Sequence, residues 1–279
     1  MSGFEQQPNR QHVYTHGHQP AVVRSHSWRT AENSAGYLLP HLESGLRMLD
    51  LGCGPGTITI DLAQRITPGE VLGIDASHGV IETATENAEA AECTNVRFAT
   101  GDVYALEADD ATYDVVHAHQ VLQHLGDPIA ALREALRVLR PGGVLAVRDS
   151  DYGAFFWSPP DLRLDRWLQL YHHVTQRNGA QADAGRWLPL WVRQAGFTDI
   201  VVTSTSWTFA DPESRAWWGG LWAERVRSTA LADQAVEYGF STEAELDDLG
   251  AAFEQWAADP DAVFVVPHVE VIARAPELD

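Results

Sequence analysis

A disulfide framework is excluded at once. Cys53 and Cys93 are the only cysteines in 279 residues, and two thiols, one of them inside a glycine-rich turn, read as reduced, cytoplasmic cysteines. Long apolar runs are missing too. No stretch of about 18 apolar residues occurs, and the opening "MSGFEQQPNRQHVYTHGHQP" is polar, without the apolar segment of an export signal. The expectation is a soluble, cytoplasmic protein with no membrane partner. Positive charge is scarce: 19 Lys+Arg stand against 39 Asp+Glu, a formal charge of −20, and no basic cluster interrupts this. Such a surface repels phosphate backbones and anionic lipids, which argues against nucleic acid as a partner. Internal repeats and low-complexity tracts are also absent. What remains is an ordinary globular composition, 45% hydrophobic and 21% charged, long enough for one large domain or one domain with an insertion.

Between Arg47 and Ser150, short apolar runs alternate with helical patterns, the signature of a parallel α/β sheet covered by helices. The runs are "RMLDL", "EVLGID", "NVRFAT", "YDVVHAH" and "GVLAVRDS". Ile58, Leu62 and Ile66 lie four apart and make one apolar helical face. Ser77 is placed as N-cap ahead of Val80, Ile81, Ala84 and Ala88. Asp127-Pro128 opens a helix with the stripe Ile129, Leu132, Leu136 and Leu139, and Pro141-Gly142-Gly143 stops it. Residues 1–45 read as an N-terminal helical cap, 46–150 as the core, and 151–279 as the rest of the sheet with two inserts, about 151–183 and 211–260. In that last part "RWLPLWVRQAGFTDIVVTS" reads as helix, Gly196 stop and strand. "AVFVVPHVEVIARA" reads as a final strand whose Pro267 suits an edge or a bulge. Nine of the ten tryptophans lie from Trp157 to Trp256.

In "MLDLGCGPGTITIDLAQ" the glycines Gly52, Gly54 and Gly56 follow a strand and open a helix, where a bare backbone turns sharply and lets a ligand approach its N–H groups. Asp50 ends the first strand, Asp75 ends the second, and Asp102 lies just past the third. All three therefore face the crevice at the carboxyl ends of the strands, where open α/β sheets bind ligands. A dinucleotide fingerprint would place its third glycine one position later and an apolar residue at Asp50. The acid beside the turn suits an amine or a sulfonium better than a pyrophosphate.

In order and spacing, "LDLGCGPG", "GIDAS", "ATGDVYAL", "YDVVHAHQVLQHL" and "LRPGGVLAVRD" resemble the motifs of class I S-adenosylmethionine-dependent methyltransferases, over about residues 47–150. Within that class the sequence is most similar to the ubiquinone/menaquinone-biosynthesis-like branch, which acts on small molecules. The resemblance implies a Rossmann-like sheet of seven strands, mostly parallel with the last antiparallel, helical inserts forming a lid, and S-adenosylmethionine as cofactor. It implies that Gly52 and Gly54 line the methionyl end, and that Asp50 orients its amino group directly or through water. Asp75 would take both ribose hydroxyls and Asp102 the adenine amine, with the Val103 N–H on a ring nitrogen, Gly101 before it, and Ala76 and Ser77 flanking sugar and base. His119 would frame the methionyl part or the methyl group.

Methyl transfer from a sulfonium is an in-line displacement, so alignment does much of the work and a protonated nucleophile gains from a base. His119 and His124 are the candidate bases, each weighed against an ordinary packing role. Asp151, Tyr152, Phe155 and Trp157 follow the fifth strand and either wall an acceptor pocket or form a plain loop. Trp218 and Trp222, with Trp217, either close over the acceptor or make the insert's own core or a dimer contact. In the N-terminal segment Tyr14, Arg29 and Asn33 are candidate cofactor or acceptor contacts, Arg29 suiting the methionyl carboxylate of the cofactor. His12, His16 and His18 lack a Cys or carboxylate frame, so no metal is expected. The resulting expectation is a monomeric or homodimeric enzyme methylating a small, apolar or aromatic metabolite of secondary metabolism at O, S, N or C. The rivals are an NAD(P)-dependent reductase, a non-catalytic cofactor binder and, less favoured still, a nucleic-acid methyltransferase.

Overall fold

The computed structural model describes residues 28–277. A short helix, α1 (Ala31–Ala35), leads into the sheet and is closed by a reciprocal cap between Thr30 and Asn33. The apolar runs become β1 (Arg47–Leu51), β2 (Glu70–Asp75), β3 (Val96–Thr100), β4 (Tyr113–His119) and β5 (Leu139–Ser150), all parallel to one another. Between them lie α2 (Thr57–Ile66), α3 (His78–Ala90) and α4 (Pro128–Val138). Then follow β6 (Phe156–Ser158), α5 (Leu162–Arg177), α6 (Ala184–Ala195) and β7 (Thr198–Phe209). The chain ends with α7 (Pro212–Ser228), α8 (Ala230–Glu237), α9 (Glu243–Ala258) and β8 (Val263–Arg274).

The strand order is β3-β2-β1-β4-β5-β8, with β7 on the outer flank of β8. β1 sits between β2 and β4, so the order reverses there and a crevice opens at the carboxyl ends. The sheet has eight strands rather than seven. The extra one is β6, which pairs with Val263–Val265 of β8 along the edge that β5 uses further on. Pro267 therefore lies in an interior strand, not an edge. It falls where β8 passes from β6 to β5, and its carbonyl accepts from the Asp151 N–H, so its missing donor faces the gap between two partners.

Sequence spacing places most helices well. Ile58, Leu62 and Ile66 of α2 are buried, and Asp127 caps α4 by accepting the Ala130 N–H at 2.9 Å with Pro128 in the first turn. The α4 stripe is rotated from expectation to Ala131, Leu132, Ala135 and Val138, because Leu139 leaves the helix and pairs with Tyr113. The Pro-Gly-Gly turn is absorbed into β5 as an irregularity of the ladder, with Gly142 at φ +71.

One face of the sheet packs Leu49, Val116, Leu145 and Val271 under α4 and α6. The other packs Met48, Val115 and Ala146 under α1 and α2. A third core joins α5, α7 and α9 to the start of β8, around Trp167, Trp222, Phe253 and Phe264. Trp167 meets Trp222 edge-on at 4.5 Å and Phe253 at 5.1 Å, geometries that favour aromatic pairs beyond simple burial. No helix of the described residues is long and apolar enough to cross a membrane. Replacing Trp222 by Ala is expected to cost about 3–5 kcal/mol in urea unfolding while leaving affinity for S-adenosylhomocysteine unchanged, because the tryptophan belongs to the helical core alone.

Candidate cofactor and acceptor site

β1 runs into Gly52, Gly54 and Gly56, at φ +63, +55 and +80, a region open to glycine and strained for other residues. A Cβ on Gly52 would lie 2.5 Å from Val121 Cγ2, and one on Gly56 would lie 2.6 Å from Phe98 Cζ. The Cys53 N–H donates to the Ile74 carbonyl, which ties the turn to β2. Burial, with Asp50 and Asp75 nearby, pushes the Cys53 thiol up. It stays protonated and unreactive.

Asp75, half-buried at the end of β2, accepts the Gly54 N–H at 3.2 Å and the Ser77 N–H at 3.0 Å. These bonds hold the carboxylate across the turn. Ala76 is exposed, and Ser77 stands at the N-cap of α3 with no side-chain cap bond. The Gly101 N–H donates to the Asp75 carbonyl. Asp102, exposed, accepts the Tyr104 N–H at 2.9 Å, with Val103 half-buried between them.

Asp50 behaves differently from its two companions. It is 3% exposed, its Oδ1 lies 2.7 Å from His117 Nδ1, and its Oδ2 accepts from Thr59 Oγ1 at 2.6 Å. Both oxygens are committed inside the protein, as a buried carboxylate requires. The structure thus sets Asp50 to brace the turn from beneath.

His117 and His119 share a face of β4, as strand alternation requires. His119 is 6% exposed, and neither ring nitrogen has a hydrogen-bond partner among the described residues. Its ring lies 5.8 Å from Trp207 and stacks 6.2 Å from His268. Burial, with the Arg29 and Arg148 charges, holds the imidazole well below its ordinary value, so it is neutral. Next along the chain, Gln120 at φ +54 turns its amide between two groups. Its nitrogen meets His268 Nε2 at 2.7 Å, and its oxygen accepts from Arg29 Nη2 at 2.7 Å. With the amide nitrogen as donor, His268 is neutral and protonated on Nδ1, an assignment made from the network. Trp207 lies under both cations, 5.5 Å from Arg29 and 5.1 Å from Arg148. Arg148, fully buried, donates to Glu270 at 3.1 Å and to Thr205 at 3.1 Å.

His124 lies apart, half-buried in a 3-10 turn at Leu122–His124, with its Nε2 3.1 Å from the Gln123 amide. Burial and the Arg29 and Arg225 charges bring it down to about 3, which makes it a poor proton acceptor at neutral pH. The same turn is capped from β5: Asp149 accepts the Gln123 N–H at 3.2 Å, and burial pushes its carboxyl up to about 8.

Most residues expected to wall an acceptor pocket are spent elsewhere. Asp151 pins Arg186 and the start of α6 through the Arg186 N–H and Nε. Tyr152 stacks on Tyr171 at 4.0 Å and on Phe155 at 4.3 Å, and Trp157 stacks on Phe264 at 5.5 Å. Trp218 lies flat on Phe209 at 4.4 Å, and Trp222 is wholly enclosed. The apolar surfaces of these aromatics form part of the third core, with α5, α7 and α9. Tyr14, His12, His16 and His18 fall outside the described residues. Gln120, Arg148, Trp207, His268 and Glu270 were missed. A signal existed in "VVPHVEVIA", where His268 and Glu270 break an apolar strand at alternate positions.

A glycine turn, acids at successive strand ends and a cluster of buried polar side chains beside the reversal of strand order are the arrangement of a Rossmann-like, ligand-binding α/β protein. The chain belongs to the methyltransferase family: a family model described as a methyltransferase domain matches residues 42–196. An uncharacterized methyltransferase of Schizosaccharomyces pombe is 31% identical over 279 residues, covering 97% of this chain and 99% of that one. A demethylmenaquinone methyltransferase of Lactococcus lactis is 37% identical over 101 residues, 36% of this chain and 40% of its own. Among solved structures, a phosphoethanolamine N-methyltransferase of Haemonchus contortus holding S-adenosylhomocysteine aligns with a TM-score of 0.56 at 18% identity, over 91% of this chain and 53% of that one. The protein is an S-adenosylmethionine-dependent methyltransferase.

Two measurements check the geometry. Gly52→Ala is expected to weaken S-adenosylhomocysteine binding at least about tenfold, since the new Cβ meets Val121 at a strained φ, and adding Val121→Ala should recover only the part due to the clash. Asp149 keeps its proton in the folded state up to about pH 8 but ionises near 3.8 when unfolded. Its contribution therefore falls as pH rises through that window. The buried His119, His124 and His268 act with the opposite sign, their folded values lying below 6.5, so stability is lost as pH falls beneath it. Asp149→Asn should raise the urea midpoint at the alkaline end of the window and leave it unchanged at the acid end.

Proposed function

We propose that this methyltransferase acts on a small, apolar or aromatic acceptor, and that His119 positions the acceptor atom. The single observation that supports it is the buried, neutral imidazole of His119, without a hydrogen-bond partner among the described residues, at the carboxyl end of β4 next to Trp207. A buried polar group without a protein partner costs free energy, and a ligand atom that hydrogen-bonds it removes that cost. The formal charge of −20 favours a small molecule over nucleic acid as acceptor.

In this reading the glycine turn takes the methionyl end of the cofactor, with Asp50 bracing it through His117 and Thr59. The carboxylate of Asp75, already fixed by the Gly54 and Ser77 N–H groups, accepts from the ribose hydroxyls. Asp102 and the Val103 N–H read the adenine edge, with Gly101, Ala76 and Ser77 around it. When bound, S-adenosylmethionine supplies a sulfonium methyl as electrophile. His119 accepts a hydrogen bond from the nucleophile and holds it in line, while Trp207 and the chain entering α1 exclude water. Because His119 stays neutral beside Arg29 and Arg148, it orients the nucleophile as a hydrogen-bond acceptor without taking up its proton, which is lost to solvent as the product leaves.

The test uses labelled S-adenosylmethionine with a panel of phenols, quinones, thiols and amines. Methylated product is expected from one of these classes. His119→Ala is expected to lower kcat by roughly ten- to a hundredfold with unchanged affinity for S-adenosylhomocysteine, and His119→Asn to recover part of it. Full turnover by the alanine variant would remove His119 from the reaction. Transfer to RNA or DNA and to none of the small molecules would overturn the acceptor class.

A further inference from the structure

Four described residues other than glycine have a positive φ. Glu92, Ala111 and Asp199 are exposed, whereas Gln120, at φ +54, is half-buried and follows His119 directly. Such a backbone costs free energy and persists only where its surroundings impose it. The Gln120 N–H donates at 2.7 Å to the carbonyl of Arg148, the residue level with His119 on β5. Its side chain lies between two elements far apart in sequence. Oε1 accepts from Arg29 Nη2 at 2.7 Å, in the segment before α1, and the amide nitrogen lies 2.7 Å from His268 Nε2 on β8.

These contacts fix more than position. A guanidinium carries donors only, so Arg29 meets the amide through its oxygen. The amide nitrogen, also a donor, is thereby turned to His268, whose Nε2 is then the unprotonated nitrogen and whose proton sits on Nδ1. Burial, with the Arg148 and Arg29 charges, holds this imidazole well below its ordinary value and keeps it neutral. The ring lies 4.4 Å from Trp207 and stacks 6.2 Å from His119. The segment that carries Arg29 reaches the same tryptophan twice: the Arg29 guanidinium lies 5.5 Å over the indole, and the Asn33 carbonyl accepts the indole N–H at 2.8 Å.

Resting on the reading of His119 as the residue facing the acceptor atom, we propose that Gln120 is a positioning residue that couples the seating of the segment before α1 to the tautomer of His268. With Arg29 in place the amide has one orientation and His268 one proton position. With Arg29 withdrawn the amide turns freely, and His268 loses the donor that selects its tautomer. His268 and Trp207 flank His119, so the rings around the acceptor position take their final arrangement when the segment before α1 is seated over them. Closure and the ordering of the acceptor's surroundings are one event, and alignment for an in-line transfer is completed with it.

The experiment combines histidine-ring nitrogen NMR with limited trypsin digestion of the full-length protein, saturated with S-adenosylhomocysteine. The His268 signals are identified by their loss in His268→Gln. In the unaltered protein Nε2 is expected to be unprotonated and Nδ1 protonated. Gln120→Glu keeps the shape of the side chain and presents oxygen to both neighbours, so a proton is expected to appear on His268 Nε2, with cleavage after Arg29 no faster than before. Gln120→Gly, which the left-handed backbone favours, removes both bonds. Its cleavage after Arg29, read from the product mass, is expected to rise at least about tenfold, as loss of a hydrogen bond to a charged group requires, and His268 is expected to divide between its two tautomers. A protonated Nε2 in the unaltered protein, no proton gained there in Gln120→Glu, or an unchanged cleavage rate in Gln120→Gly would overturn the proposal. The first of these needs no variant and stands whether or not the variants fold. Turnover enters neither readout, so full activity after His119→Ala would remove the role of His119 and leave the coupling through Gln120 standing.

Discussion

A row of polar side chains crosses the buried face of the sheet, and its need for partners sets the register of five strands. Asp50 of β1 is level with His117 of β4, and His119 is level in turn with Arg148 of β5, Glu270 of β8 and Thr203 of β7. A slip of one residue would send Arg148 to the face occupied by Leu145, Val147 and Val271, and leave Glu270 without its guanidinium. Removing one member of a buried ion pair costs about 3–5 kcal/mol. The row therefore penalises wrong alignments more than it stabilises the right one.

The crevice inherits its shape from this row. His119 emerges next to the Arg148–Glu270 pair, and Gln120 beyond it carries the network to His268 and out to Arg29. Trp207 is gripped between the two cations, and its indole N–H donates to the Asn33 carbonyl. The segment before α1 is thus fastened to β7, far away in sequence. Trp28 adds a second fastening, 5.0 Å from Trp207 and 5.3 Å from Trp217. On the opposite face, Asp149 holds the turn after β4, and that turn places Val121 against Gly52. The glycine turn and the surroundings of His119 share β4 as their common wall.

The turn after β1 and the strand ends beside it were legible because their determinants are local. Glycines at left-handed positions, an acid at the end of a strand and an N-cap before a helix each act within a few residues, so "LDLGCGPG", "GIDAS" and "ATGDV" show in sequence what the fold builds. The packing of the inserts was not. Tyr152, Phe155 and Trp218 look like ligand-facing aromatics in a loop and an insert, but they pack with α5, α7 and α9 against Phe209, Phe264 and Val266 of β7 and β8.

The sequence by itself determined the α/β class, the parallel core, the glycine turn and the placing of Asp75 and Asp102, since these depend on backbone conformation and on periodicities of two and 3.6 residues. The tertiary structure decided which side chains meet across the sheet. His268 reaches His119 only because β8 runs antiparallel beside β5, and Arg29 reaches Trp207 only when the chain before α1 closes on β7. Those meetings join residues more than a hundred positions apart, and no local preference encodes them; they follow from burying polar groups where each must find a partner.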